Sequence, residues 1–278
     1  MFKIITKRSL AANVNEYVIE AAAVAHNARP GQFIILRVDE DGERVPFTIC
    51  DTNKIIGTVT ILVQTLGATT EKLARLQAGD SIANFVGPLG NATDLEGYSN
   101  VLLIAGGIGS AVIFPQAKNL FGIGKPVDVI LGARNKELVM YKREFMSYAK
   151  NLYVMTDDGS DGEKGFVTQK LKSLLEEGNK YDMVMAVGPL VMMRAVCAVT
   201  KEFGIPTTVS MNSIMVDGTG MCGGCRLTVG GETKYACVDG PEFDGHLVDF
   251  DEAISRSSFY KEKEQAHLCR LRGLEANK

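Results

Sequence analysis

The run Val101-Leu102-Leu103-Ile104-Ala105-Gly106-Gly107-Ile108-Gly109 decides the fold of this chain. Its unbroken apolar stretch suits a strand covered on both faces. The glycines that end it let backbone come close to a ligand at the start of a following helix, read over residues 110–120. The same unit then recurs. Strand-like runs at 127–131, 152–155, 183–187 and 207–210 alternate with helical stretches near 141–149, 168–177 and 190–203. Alternation of this kind predicts a parallel sheet with helices on both faces and right-handed crossovers, here residues 98–208. Ligands of such sheets bind at the carboxyl ends of the strands. Those ends carry Gly106, Gly107 and Gly109, then Gly132 and Arg134, then Thr156, Asp157 and Asp158, then Gly188 and Pro189. One Gly-Gly-x-Gly is weak evidence, since tight strand-to-helix turns need glycine anyway and this spacing is not the Gly-x-Gly-x-x-Gly dinucleotide fingerprint. Four strand ends finishing in glycine or small polar residues point more firmly to a nucleotide cleft.

Upstream, residues 1–97 read differently. Short strand-like runs at 2–5, 16–20, 32–38, 46–49 and 58–64 are separated by turn residues such as Pro30-Gly31 and Glu40-Asp41-Gly42, the pattern of an antiparallel barrel. One helix is expected over 69–76, with Thr70 placed to cap it. In Arg44-Val45-Pro46-Phe47-Thr48 an arginine fork precedes a strand whose proline excludes a central ladder position. Arg44 suits a pyrophosphate, while Pro46, Phe47 and Thr48 can face a planar ligand. In Leu62-Val63-Gln64-Thr65-Leu66-Gly67-Ala68-Thr69-Thr70 a strand passes through Gly67 into a helix start, where Thr69 and Thr70 neighbour free N–H groups and a dipole favourable to phosphate. Each stretch alone is ordinary surface or capping chemistry; their ordered co-occurrence suggests a cofactor.

Downstream, residues 209–278 hold Asp217-Gly218-Thr219-Gly220-Met221-Cys222-Gly223-Gly224-Cys225, and Cys237 returns beyond a short hairpin. Thiolates at Cys-x-x-Cys spacing can hold a metal or cluster from one tight turn. A zinc ribbon needs a fourth nitrogen or sulfur ligand, and His246 is the only histidine close in sequence. Plant-type 2Fe–2S centres use Cys-x4-Cys-x2-Cys with a distant fourth cysteine, and Asp217 stands where the first cysteine of that spacing belongs. The tail reads as an exposed amphipathic helix, either solvated or docking a partner. Cys50, Cys197 and Cys269 are scattered and suggest no disulfide framework.

Composition excludes several classes. The 278 residues carry a formal net charge of −3, so no field draws nucleic acid or anionic lipid. No apolar run approaches the roughly 20 residues that span a bilayer. The N-terminus lacks the basic, apolar and small-residue sequence of a signal peptide, so a cytoplasmic protein is expected.

Arg44-x-Pro46-x-Thr48, Gly106-Gly107-x-Gly109, Gly188-Pro189-Leu190-Val191-Met192-Met193 and the cysteine segment together resemble the ferredoxin–NADP reductase superfamily. Over its whole length the chain is similar to the small subunits of NADH-dependent reduced ferredoxin:NADP oxidoreductases, also described as sulfide dehydrogenase subunits. The stretches at 30–33, 87–90, 214–223 and 237–249 carry that likeness. The resemblance implies FAD on residues 1–97, NAD(H) on 98–208, and a 2Fe–2S cluster on 209–278 held by Asp217, Cys222, Cys225 and Cys237. It implies hydride exchange between NAD(H) and FAD, single electrons relayed through the cluster, and no catalytic side chain. It further implies a heterodimer with a larger flavoprotein that carries FAD and 4Fe–4S clusters and reaches ferredoxin. The electron-transfer subunit of dihydroorotate dehydrogenase has the same three modules with an all-cysteine cluster, and Asp217 is the departure from it. A diaphorase and a redox-sensing binding module are the other readings. Asp157 and Asp158 favour NAD over NADP by repelling a 2′-phosphate, whereas Arg134 could welcome one.

Overall fold

The computed structural model describes residues 1–276. In chain order they form β1 (Phe2–Ala11), β2 (Val14–Glu20), α1 (Ala22–Asn27), β3 (Phe33–Arg37), β4 (Val45–Thr48), β5 (Asp51–Asn53), β6 (Thr58–Gln64), α2 (Ala68–Arg75), β7 (Ser81–Ile82) and β8 (Asn84–Leu89). The second region contributes β9 (Val101–Gly106), α3 (Ser110–Gly122), β10 (Val127–Ala133), α4 (Lys142–Phe145), β11 (Ala149–Thr156), β12 (Glu163–Lys164), α5 (Val167–Glu176), β13 (Met183–Val187), α6 (Leu190–Glu202) and β14 (Thr207–Ser210). The remainder forms β15 (Arg226–Val229), β16 (Glu232–Tyr235), β17 (Glu242–Asp244), α7 (Phe250–Arg256) and α8 (Lys261–Ala276).

The N-terminal region is an antiparallel barrel made of two sheets, β5-β6-β2-β1-β7 and β4-β3-β8. Inward-facing residues such as Ile4, Ile19, Ile34, Leu36, Val59 and Ile61 close around one core. Period-2 alternation puts them there while their neighbours face outward. The Tyr17 hydroxyl, buried with that core, donates to the Leu73 carbonyl at 3.0 Å and ties β2 to α2. Two helices interrupt the barrel. α1 has no side-chain cap, which is why its alanine-rich sequence gives no start signal.

The second region is a seven-stranded sheet in the order β12-β11-β10-β9-β13-β14-β17. All its pairings are parallel except that of β17, which runs antiparallel to β14 with Val209 opposite Phe243. Every residue of β9 is buried, as a central parallel strand requires. Phe114 and Ala117 of α3 cover one face, and Leu171 and Leu174 of α5 with Met193 and Val196 of α6 cover the other. The chain steps from β9 to one side through β10 and β11, then returns to the other side with β13. The crevice between β9 and β13 is therefore the topological switch point.

The three regions share surfaces. Cys225, Leu227 and Cys237 belong to the same apolar core as Ile35 of β3 and the α5–α6 face of the sheet. At the barrel–sheet seam, Arg8 reaches Glu16 at 3.0 Å and Glu144 at 3.2 Å, and Lys118 reaches Asp51 at 2.7 Å. Tyr141 adopts a left-handed φ of 58° and donates its hydroxyl to Glu16. The tail is helical as expected, but it is not simply solvated: Leu268 is buried, and His267 of α8 lies 3.3 Å from Glu43 of the barrel. No helix among the described residues is long and apolar enough to cross a membrane.

Candidate functional site

The expected nucleotide residues come together at the carboxyl ends of the parallel strands. Gly132 lies in register with Gly106, and Thr156 with Ala133. At the switch point the glycines have a steric basis. A Cβ on Gly109 would come within 2.2 Å of the Val187 carbonyl oxygen, and one on Gly188 within 3.0 Å of the Gly106 Cα. Gly107 differs: its φ is +55° and a Cβ there would point into open space. Ser110, at the start of α3, is buried and its hydroxyl has no partner among the described residues; the Oδ1 of Asn135, just past β10, is orphaned likewise. Sequence reading missed both Ser110 and Asn135. The orphaned Ser110 hydroxyl beside the open Gly107 turn fits a polar ligand in this crevice.

The loop after β11 is shaped by its own side chains. Thr156 is fully buried, and its hydroxyl donates to the Asp161 carbonyl at 2.7 Å, so it holds the loop rather than facing the crevice. Asp158 is exposed. Its carboxylate accepts from the Ser160 hydroxyl at 2.6 Å and the Ser160 N–H at 2.9 Å, which holds it below the usual carboxylate range. Asp157 and Arg134 are exposed on the same rim.

On the barrel, residues 44–48 form a half-buried strip in which Thr48 pairs with Phe33 and Pro46 with Ile35. Gln64, the last residue of β6, and Gly67 beyond it are half-buried, whereas the side chains of Val63 and Leu62 lie in the barrel core and the sheet core respectively. Only the backbone of those two is available to a ligand. Gly67 occupies the N-cap position of α2, and the Thr70 hydroxyl accepts from the N–H groups of Leu66 and Gly67 at 2.9 and 3.0 Å. The Thr69 hydroxyl donates to Glu43 at 3.2 Å. The half-buried strip and the open space at Gly67 fit a ligand laid along the barrel.

Arg44 has different partners from those its sequence position suggests. Its Nε donates to the Val216 carbonyl at 3.0 Å and one Nη to the Asp217 carbonyl at 3.3 Å.

The cysteine segment is a loop followed by the β15–β16 hairpin. The sulfurs of Cys225 and Cys237 lie 3.3 Å apart, both buried, and Cys222 is exposed. Backbone N–H groups point at two of the sulfurs: Gly224 to Cys222 and Cys237 to Cys225, each at 3.5 Å. Burial, with the neighbouring Cys225, pushes the Cys237 thiol up to about 12, so metal binding there must displace a proton. The Asp217 carboxylate accepts from the N–H groups of Thr219 and Cys222, both at 2.7 Å, and these bonds hold it below the usual range. Among the described residues no three Cys, His, Asp or Glu side chains close around a single ion. His246 is turned away, its Nε2 3.0 Å from the Thr200 hydroxyl. A mononuclear zinc ribbon therefore lacks its fourth ligand. A buried sulfur pair beside an exposed third sulfur, with backbone N–H groups aimed at Cys222 and Cys225, fits a cluster of several metals better.

Comparison with known proteins agrees with this geometry. Residues 212–249 match the iron–sulfur cluster binding domain of dihydroorotate dehydrogenase B, and residues 103–198 match an oxidoreductase NAD-binding domain. The chain is 52% identical over 95% of its length to an uncharacterized protein of Clostridium beijerinckii, covering 92% of it. It is 46% identical over 95% of its length to a dihydroorotate dehydrogenase B (NAD(+)) electron transfer subunit homolog of Thermotoga maritima, covering 93% of it. Among solved structures, that of an NADH-dependent reduced ferredoxin-NADP oxidoreductase, studied for flavin-based electron bifurcation, superposes with a TM-score of 0.92 at 44% identity, covering 97% of both chains. A ferredoxin reductase of carbazole 1,9a-dioxygenase, at 19% identity, TM-score 0.63 and coverage of 74% of this chain and 65% of that one, shares the fold. The chain belongs to the family of dihydroorotate dehydrogenase B-type electron-transfer subunits within the ferredoxin–NADP reductase superfamily, NAD(H)-dependent oxidoreductase subunits that work with FAD, a 2Fe–2S cluster and NAD(H).

Proposed function

We propose that this chain is the NAD(H)-side electron-transfer subunit of a flavin-based electron-bifurcating NADH-dependent ferredoxin:NADP oxidoreductase, acting in the cytoplasm. The observation that carries the reading is the Asp217 turn: a carboxylate fixed by two backbone N–H groups at the head of a Cys-x-x-Cys loop, where an all-cysteine site would have its first thiolate. The likeness over nearly the whole chain to the solved bifurcating oxidoreductase supports it. Bound at these sites, the cofactors supply hydride exchange between nicotinamide and flavin and one-electron relay through the iron–sulfur centre.

The residues position and tune. Pro46 and Thr48 share the outer face of β4 and offer it to the flavin ring, whereas the Phe47 ring packs on the barrel core beside Ile34 and leaves only its backbone to the ligand. Gln64, Gly67 and Thr69 lie toward the phosphates. Gly106, Gly107, Gly109, Gly188 and Pro189 bring backbone to the nicotinamide nucleotide, with Ser110 as a hydroxyl partner. Asp217, Cys222, Cys225 and Cys237 hold the cluster. The cysteine segment exposes Ile214, Val216, Met221 and Val238 along with Cys222, Met221 at 89%. This apolar rim is the docking face for a larger flavoprotein subunit with FAD and 4Fe–4S clusters, through which electrons reach ferredoxin.

A second reading, the electron-transfer subunit of an NAD-dependent dihydroorotate dehydrogenase, is favoured by the match over residues 212–249. Anaerobic isolation of the native complex separates the two. A partner with FAD and 4Fe–4S clusters supports bifurcation; an FMN partner that oxidises dihydroorotate overturns it.

Two expectations test the assignments. Asp217→Cys will keep a cluster with altered EPR g-values and a shifted potential, because thiolate is softer and more covalent than carboxylate; an unchanged spectrum would show that Asp217 is no ligand. NADH will bleach the flavin at concentrations at least tenfold below those NADPH needs, because the ionised Asp158 and neighbouring Asp157 repel a 2′-phosphate. Stopped-flow titration decides this, and tighter NADPH would assign the rim to Arg134.

A further inference from the structure

Arg44 stands just before β4, where its sequence suggests a phosphate partner, yet the fold turns its guanidinium onto the cysteine segment. Its two bonds, to the carbonyls of Val216 and Asp217, cross 172 and 173 residues of chain. No other described group donates to either carbonyl. Around this contact the loop lies directly on the barrel. A Cβ on Gly218, whose φ is +76°, would meet Leu89 of β8 at 2.8 Å and Ile35 of β3 at 2.9 Å. On the far side of the segment, Asn91 donates its N–H to the Gly240 carbonyl at 2.7 Å and its Nδ2 to that of Val238 at 3.1 Å. Asp217 is thus fixed at both ends, its carboxylate by the Thr219 and Cys222 N–H groups and its carbonyl by the barrel.

We propose that Arg44 is a positioning residue for the cluster loop: its fork pins the Val216–Asp217 peptide against the flavin barrel and places a unit positive charge beside the ligand set. The inference rests on reading Asp217, Cys222, Cys225 and Cys237 as the cluster ligands. A planar guanidinium satisfies two adjacent carbonyls at once, and a lysine ammonium keeps the charge without that geometry. At a pyrophosphate, by contrast, a lysine ammonium still binds as a point charge, though without the fork. A fixed positive charge near an electron acceptor favours its reduced form, so moving or removing the charge lowers the potential.

The two roles separate in Arg44→Lys and Arg44→Ala, made in the full chain with flavin and cluster reconstituted anaerobically. Iron release to a ferrous chelator, flavin content, EPR g-values of the reduced centre and its midpoint potential are measured on each. Arg44→Lys is expected to keep its flavin while releasing iron at least threefold faster than the parent, with changed g-values. Arg44→Ala is expected to release iron at least tenfold faster and to show a more negative potential. Iron release and g-values in Arg44→Lys equal to the parent's would overturn the inference even if Arg44→Ala folds poorly, and flavin loss from Arg44→Ala with its cluster unchanged would return Arg44 to a phosphate role. A parent chain that assembles no cluster would remove the cluster reading itself, and this inference with it.

Discussion

Cys225→Ser will abolish the iron–sulfur centre while leaving reduction of the flavin by NADH within about twofold of the parent rate. Cys225 is 1% exposed and lies between Leu227 and Cys237 in a core shared with Ile35 and the α5–α6 face. Its sulfur accepts the Cys237 N–H at 3.5 Å and faces the Cys237 sulfur at 3.3 Å. A serine hydroxyl is harder, and far less readily deprotonated than a thiol, so it replaces a thiolate ligand poorly at neutral pH. Burying that hydroxyl costs about 1–3 kcal/mol where it finds no partner, a local penalty in a chain with a separate barrel core and two covered sheet faces. The hairpin pairing of Arg226–Val229 with Glu232–Tyr235 does not pass through the side chain and should survive. Iron assay and EPR of the dithionite-reduced protein check the first part, and single-turnover bleaching by NADH the second. A full iron complement with the parental EPR signal would remove Cys225 from the ligand set.

That prediction concerns residues legible from spacing alone, and the contrast with Arg44 shows where spacing stops. Cys222, Cys225 and Cys237 announce themselves because ligand geometry fixes their separation within one loop and hairpin. The strand ends of the sheet are equally local: apolar runs closed by glycine identify β9, β10 and β13, and their parallel pairing brings Gly106, Gly132 and Gly188 to one edge. Arg44 meets its carbonyl partners only after the barrel and the C-terminal segment have closed on each other, and no local pattern encodes that meeting. β17 is hidden for the same reason. Three residues, Glu242 to Asp244, carry no periodicity, and their pairing with Thr208, Val209 and Ser210 is purely tertiary. The helix expected over 141–149 is a single turn, Lys142–Phe145, because the chain must be extended again at Ala149 to pair with Val127. Ser110 and Asn135 sit beside glycine turns that drew attention first; their orphaned atoms appear only once burial is known.

Glu242→Gln will raise thermal stability above pH 7 and leave it unchanged near pH 4. Glu242 opens β17 at the meeting of all three regions, and its carboxyl end is turned into the seam. Oε1 accepts from the Thr93 hydroxyl at 2.6 Å, and that hydroxyl in turn accepts from Gln116 of α3 at 2.5 Å. Gly31 has no room for a side chain there, since a Cβ would fall 2.0 Å from the Thr93 hydroxyl and 3.0 Å from Oε1. A cleft of about 240 Å³ opens beside it, where Asp94 and Asp244 are the other ionisable groups and neither offers a positive charge. Burial pushes the Glu242 carboxyl up from 4.5 to about 7, against the lowering effect of the Thr93 bond. The sign follows from proton counting: between these values the folded chain holds a proton that the unfolded chain has released, so stability falls as pH rises from 4.5 to 7 and stays lowered above it. The cost at alkaline pH is at most about 3 kcal/mol. Glutamine keeps an oxygen for Thr93 and never ionises, so it removes the cost and nothing else. In a chain of this size the expected gain is about 5 °C at pH 8, closing to zero by pH 4. Thermal unfolding of parent and variant, both cofactor-loaded, across pH 4 to 8 reads the difference directly and cancels every other titrating carboxylate common to the two. An offset of the same size at pH 4 and pH 8 would mean that Glu242 is not protonated in this seam and that the variant acts through packing alone.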